Sequence, residues 1–212
     1  MKIDSFGFEA VIFDLGGVLL NLDYQLTIDA FRQLGLENVN LLFSQKTQFG
    51  FFDDFETGSI NASEFRKEVR AIAPKTLSDN QIDKAWNAML LDFPQNRLDL
   101  LKNISTKKRI FLLSNTNEIH MGWFKKYVNQ LFGEDEFFDL FEVAYLSNEM
   151  GMRKPNVEIF EYVMNENKLD PKRTLFIDDS AQHLDGAKLA GLQTHWLQKE
   201  EEISNLLHDF LT

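Results

Sequence analysis

At 212 residues the chain has room for one domain, or for one domain carrying a sizeable insertion, since domains commonly run to roughly 100–200 residues. Hydrophobic residues make up 44% and phenylalanine occurs 20 times, enough apolar surface to build a core, which excludes a disordered chain. A formal net charge of −11 argues against nucleic acid or an anionic membrane as partner, because binding polyanions needs Lys and Arg to displace counterions. Cysteine is absent, which excludes disulfides, thiolate metal sites and thiol catalysis.

In chain order, the first residues MKIDSFGFEAVIF carry Asp4 and Glu9 where a signal peptide needs an unbroken apolar stretch, and no apolar run is long enough to span a bilayer. A cytoplasmic location is the expectation. Five short apolar runs, Ala10–Phe13, Ile110–Leu113, Val143–Leu146, Thr174–Ile177 and Gln193–Leu197, predict buried parallel strands, since they lack alternation and end at polar or turn-forming residues. Nearly all of Asn21–Lys108 separates the first strand from the second, far too much for an ordinary crossover. Its pattern is helical, with Tyr24, Ile28, Phe31 and Leu34 on one face and Ile82, Trp86, Met89 and Phe93 on another. Asn61 with Glu64 and Ser78 with Gln81 read as capping boxes. Further helices are expected at Trp123–Leu131, Val157–Asn167 and Ala181–Ala190, the last stopped by Gly191. The fold class expected is α/β: a Rossmann-like parallel sheet core with helices on both faces, over residues 1–20 and 103–212, and an inserted helical cap over 21–102. Ligands in such sheets bind beyond the carboxyl ends of the strands.

Four strings stand at those ends: FDLGGVL around Asp14, LLSNTN around Ser114, GMRKP around Lys154, and FIDDS around Asp178 and Asp179. Singly, each has a bland counterpart. Asp14 could be a turn residue, Lys154 a solvated surface lysine, Ser114 with Asn115 a turn or helix cap, and Ser180 the start of a capped helix. Adjacent acids after an apolar strand are harder to dismiss, because they repel unless a cation or water intervenes.

In this order and spacing the four strings resemble the haloacid dehalogenase superfamily, in particular its phosphatase branch with a helical cap after the first motif. The resemblance spans almost the whole chain. It implies an Mg²⁺-dependent phosphatase acting on a small phosphate monoester, with sugar phosphates weakly favoured over nucleotides. Asp14 would be the covalent nucleophile, forming an aspartyl-phosphate that water then hydrolyses. A carboxylate meets phosphate against roughly 4 kcal/mol of repulsion per charge pair at 4 Å with an effective dielectric near 20, so cations and donors are needed. The resemblance assigns Mg²⁺ to Asp14, the carbonyl of Gly16 and Asp179, with Asp178 acting through water. Lys154 would neutralise the nucleophile and the phosphoryl group. Ser114 and the Asn115 amide would hold phosphate oxygens, with Thr116 assisting, and Gly16 and Gly17 would let backbone amides come close.

Two positions depart from the family. Its usual general acid, two residues after the nucleophile, is replaced by Gly16; such groups contribute typically 10²–10⁴-fold. Gly16 therefore predicts a preference for acidic leaving groups, such as an anomeric hydroxyl, and leaves two alternatives open: a metal-independent haloacid dehalogenase, or a noncatalytic phosphate-binding protein. The acidic pair disfavours the dehalogenase. His183 stands where the family more often has Asp or Asn, and is either an orienting partner of Asp179 or a structural histidine. In FGFFDDFETGS, Phe51, Asp53 and Glu56 are candidates for substrate contact, with core packing the alternative for the aromatics. Asp23 is a hinge residue facing the cavity or a helix N-cap. His120, His195 and His208 show no metal-ligand spacing.

Overall fold

The computed structural model describes residues 7–39, 50–133 and 136–207; Asp4 and His208 lie outside them. Five parallel strands, β1 (Ala10–Phe13), β2 (Arg109–Ser114), β3 (Val143–Leu146), β4 (Thr174–Asp178) and β5 (Gln193–Trp196), form one sheet in the order β3-β2-β1-β4-β5. The order reverses at β1, and at such a switch point the flanking loops part to leave a crevice. Register then fixes who meets there. Phe13 pairs with Leu112 on one side and Ile177 on the other, so the next residue, Asp14, emerges beside the end of β4, and its amide donates to the Ile177 carbonyl at 3.0 Å.

Buried parallel strands read as continuous apolar runs because both faces are covered. Val11 and Phe13 enter one core cluster, and Ala10 and Ile12 the opposite one. The expectation of five buried strands holds for β1, β2 and β4 and needs correction for β3 and β5. Those two are the sheet edges, and Val143 and Trp196 are exposed, because an edge strand has a neighbour on one side only. The helices of the core are α5 (Gln95–Ser105), α6 (Glu118–Phe132), α7 (Ser147–Met150), α8 (Val157–Asn167), α9 (Ala181–Leu189) and α10 (Ile203–Leu206). α6 begins five residues before the expected start. Asn117 caps it, its side chain accepting from the His120 amide at 3.0 Å, and the polar first turn hides that start from an apolar pattern. Gly191 has the positive φ expected after α9.

Between β1 and β2 lie α1 (Tyr24–Gln33), α2 (Phe51–Glu56), α3 (Ala62–Ile72) and α4 (Asp79–Asn87). Both capping boxes are formed, and Asp23 caps α1 by accepting from the Gln25 amide at 2.9 Å. Phe31, Phe52, Phe55, Phe65 and Trp86 make a separate aromatic core for these four helices. Rings such as Phe55 and Phe65, stacked with centroids 4.4 Å apart, add about 0.5–1.5 kcal/mol per pair beyond area burial. Met89 joins this cluster from just beyond α4, whereas Phe93, expected on the same stripe, packs into the sheet's cluster with Leu98, Leu101 and Ile104 of α5. The stripe is interrupted because α4 ends at Asn87.

Candidate active site

Asp14, at the switch point, is nearly buried, and its Oδ1 accepts from the Leu15 amide at 2.7 Å and pairs with Lys154 Nζ at 2.8 Å. Lys154 is fully buried, which overturns the surface-lysine alternative. Its ammonium also reaches Asp178 Oδ2 at 2.7 Å. A long side chain holds such a position only if its backbone is held, and Asn115 supplies that: its Nδ2 donates to the Lys154 carbonyl and its Oδ1 accepts from the Lys154 amide, both at 2.9 Å. The Asn115 side chain therefore joins the end of β2 to the loop before α8. Sequence reasoning assigned only the Asn115 backbone amide a role and missed this clamp; no local pattern signals a pairing across 39 residues.

Asp178 is fully engaged. Beyond Lys154 it accepts from the Ser180 amide at 2.8 Å, and His183 Nδ1 lies 3.0 Å from each of its oxygens. His183 is thus the orienting partner, of Asp178 rather than of Asp179. Burial pushes the Asp178 carboxyl up, but Lys154 and His183 outweigh it and hold the group at about 2. Asp14 goes the other way: burial, with Asp178 and Asp179 adding to it, raises it to about 7 against the pull of Lys154. Burial opposes the charge of Lys154, yet the two carboxylates raise its pKa above the ordinary value, so it stays an ammonium.

Asp14, Asp178 and His183 offer donor atoms that all lie within 4.8 Å of one another. Asp179 lines the same cavity as Asp14, Gly16, Ser114 and Asn115. Gly17 has φ +76°, and a Cβ there would overlap the Asp179 carboxylate, so only glycine lets the loop after β1 close onto that acid. With Asp178 and His183 bound to each other, the oxygens of Asp14 and Asp179 fit a small hard dication, since the three aspartates outnumber the single ammonium of Lys154. Gly16 is less constrained, since it has no positive φ and a Cβ there would meet, at 2.5 Å, only Leu22 Cδ1, the end of a side chain that can turn aside. The place of the family's general acid is filled by a leucine methyl. Ser114 and Thr116 are buried beside the cavity, and the Thr116 amide is taken by Ser147 Oγ at 2.9 Å.

Across the crevice, Tyr24 of α1, Glu56 of α2, and Met89 and Leu90 just beyond α4 close the cavity. Of the three candidates in the FGFFDDFETGS segment, Phe51 stacks on Phe52 in the aromatic core, Asp53 pairs with Arg153, and Glu56 lines the cavity. Arg153, which sequence reasoning passed over inside GMRKP, pairs with Asp53 and also with Glu56, 3.1 Å from its Oε2.

A parallel sheet with an acid at its switch point, a buried lysine bound to it and a second acid pair on the adjacent strand defines a hydrolase site of one recognisable class. The chain belongs to the haloacid dehalogenase-like hydrolases, whose family model matches residues 8–191. Among curated proteins it is similar to a D-ribitol-5-phosphate phosphatase of Bacteroides thetaiotaomicron, 29% identical over 87% of this chain and 89% of the relative. A sesquiterpene phosphatase of Aspergillus oryzae is 22% identical over 87% of each chain. Among solved structures, a HAD family enzyme of Bacteroides thetaiotaomicron in complex with magnesium and inorganic phosphate is 40% identical, with a TM-score of 0.86 over 94% of this chain and 99% of that one.

Proposed function

We propose that the protein is an Mg²⁺-dependent phosphatase that hydrolyses a small phosphate monoester, a sugar or polyol phosphate, with Asp14 as nucleophile. The observation that carries this reading is the buried ammonium of Lys154 bound to both Asp14 and Asp178, an arrangement that lets a carboxylate approach a phosphate dianion. The activity of the ribitol-phosphate phosphatase and the magnesium and phosphate of the similar structure support it. Among the described residues no helix is long and apolar enough to cross a membrane. A cytoplasmic location belongs to the same reading, and the net charge of −11 weighs against nucleic acid as a partner.

In this reading the Asp14 carboxylate attacks phosphorus, the P–O ester bond breaks and the leaving alkoxide takes a proton, delivered by water. A second water then attacks the phosphorus of the aspartyl-phosphate, releasing phosphate and restoring the carboxylate. Asp14, the Gly16 carbonyl and Asp179 would hold the Mg²⁺, with Asp178 behind them and committed to Lys154; bound there, the ion supplies charge neutralisation at the phosphoryl oxygens. Lys154 holds the transferring group's negative charge in a dry site, where such a contact is worth most. Ser114 and the Asn115 amide receive phosphate oxygens. The inserted helices α1 to α4, within the span 21–102 set from the sequence, cover the leaving group; α5, at the end of that span, packs with the core. The expected preference for anomeric esters finds no support in the relative's substrate, D-ribitol 5-phosphate, a primary-alcohol ester, and proton delivery by water is consistent with either.

Hydrolysis of p-nitrophenyl phosphate tests the reading. It is expected to require Mg²⁺ and to fall at least 10³-fold in Asp14→Asn, which cannot form the acyl phosphate. Halide release from a haloacid without metal, or phosphate binding with no turnover, would overturn it.

A further inference from the structure

Asp14, Lys154, Ser114 and Asn115 account for the phosphate end of the cavity, with Asp179, Ser180 and His183 beside them on the core, and the side that the cap closes is left for the leaving alcohol. Two cap residues there are polar, Tyr24 and Glu56; the core adds Arg153, next to Lys154 in sequence. Glu56 is buried, and its α2 is docked on the core because Ser147 Oγ lies 2.6 Å from the Glu56 carbonyl. An arginine in a phosphatase cavity would ordinarily be taken as a second anion site. Here it is paired with Glu56 inside the cavity and with the half-exposed Asp53 outside it, so its charge is already engaged by two carboxylates before any second anion arrives. Tyr24 keeps its proton, since burial and the nearby acids push its phenol well above the ordinary range, and so it is a donor. The rest of this wall is apolar, from Leu22, Met89 and Leu90.

We propose that Glu56 and Arg153, with Tyr24, form the subsite that binds the hydroxyl groups of the leaving alcohol, and that this subsite selects uncharged polyhydroxy alcohols over alcohols bearing a second anionic group. The proposal rests on the phosphatase reading and adds the residues and the charge rule that choose the substrate. Carboxylate acceptors and guanidinium and phenol donors match the alternating needs of adjacent hydroxyls, and the aliphatic wall matches their C–H faces. A terminal carboxylate or second phosphate would meet the Glu56 carboxylate and an arginine that Glu56 and Asp53 already engage.

The test compares three esters in Mg²⁺: D-ribitol 5-phosphate, its analogue with the terminal hydroxymethyl oxidised to a carboxylate, and p-nitrophenyl phosphate. Wild-type kcat/KM is expected to favour the neutral polyol over the carboxylate by at least tenfold. In Glu56→Gln, which keeps the shape and drops the charge, the polyol's kcat/KM should fall roughly 10- to 100-fold relative to p-nitrophenyl phosphate, mainly through KM. Its discrimination against the carboxylate should narrow at least threefold. A merely structural role would lower all three esters by one factor, and that result overturns the subsite. So does a wild-type enzyme that hydrolyses p-nitrophenyl phosphate yet treats polyol and carboxylate alike; this outcome leaves the phosphatase reading intact and decides the matter even if Glu56→Gln does not fold. Failure to hydrolyse any ester overturns the phosphatase reading and the subsite with it.

Discussion

Lys154→Met removes one charge while keeping an unbranched stem of similar volume, so its consequences can be worked from the two ion pairs it breaks. Nζ lies 2.8 Å from Asp14 and 2.7 Å from Asp178, and all three side chains are buried. Taking away one partner of a buried ion pair costs about 3–5 kcal/mol of stability, because the other charge is left uncompensated. In the proposed mechanism the same ammonium meets the transferring phosphoryl group, and removing one such preorganised donor costs about 10²–10³ in rate, or roughly 3–4 kcal/mol of transition-state stabilisation. The assay is kcat/KM on p-nitrophenyl phosphate at saturating Mg²⁺, with urea unfolding of the same preparation. Activity is expected to fall into that range and the unfolding free energy by about 3 kcal/mol. Part of the stability deficit should be recovered as Mg²⁺ is raised, because binding to the folded state stabilises it. Hydrolysis within threefold of wild type would refute the reasoning and mean that the charge at Lys154 does not reach the reacting phosphate.

His120 gives a prediction about pH. The Asn117 Oδ1 accepts from Trp86 Nε1 at 3.2 Å and from the His120 amide, which turns Nδ2 toward His120 Nδ1 and makes that nitrogen an acceptor, while Nε2 donates to the Trp86 carbonyl at 3.1 Å. The ring is thus held neutral, and burial lowers its pKa to about 4 from the ordinary 6.5. Between those values the unfolded chain binds a proton that the folded protein does not, so stability falls as pH drops from 6.5 toward 4, by about 3 kcal/mol at roughly 1.4 kcal/mol per pH unit. Urea midpoints from pH 7.5 to 5 should fall in wild type and fall less steeply in His120→Gln; parallel curves would count against it. Gly17→Ala places a side chain at positive φ and against Asp179. It should cost about 1–2 kcal/mol in backbone strain and raise the Mg²⁺ concentration for half-maximal hydrolysis at least tenfold. An unchanged Mg²⁺ requirement would show that Asp179 takes no part in holding the ion.

The sequence by itself determined the three central strands, the helical insertion with both capping boxes, and the strings that end at Asp14, Ser114, Lys154 and Asp178. All of these are written in local order: apolar period, cap spacing, and polar residues placed where strands stop. The edge strands β3 and β5 were not distinguishable from buried ones, because strand order is a property of crossovers, and composition carries no record of which strand has one neighbour. Only the tertiary structure decided that Asp178 belongs to Lys154 and His183, that Asn115 clamps the Lys154 backbone, and that Leu22 fills the space beside Gly16. It alone brought Arg153 onto Glu56, 97 positions apart in the chain. Such pairings depend on where the crossing of β1, β2 and β4 brings distant loops together, and a burial-driven chain fixes that crossing collectively rather than residue by residue.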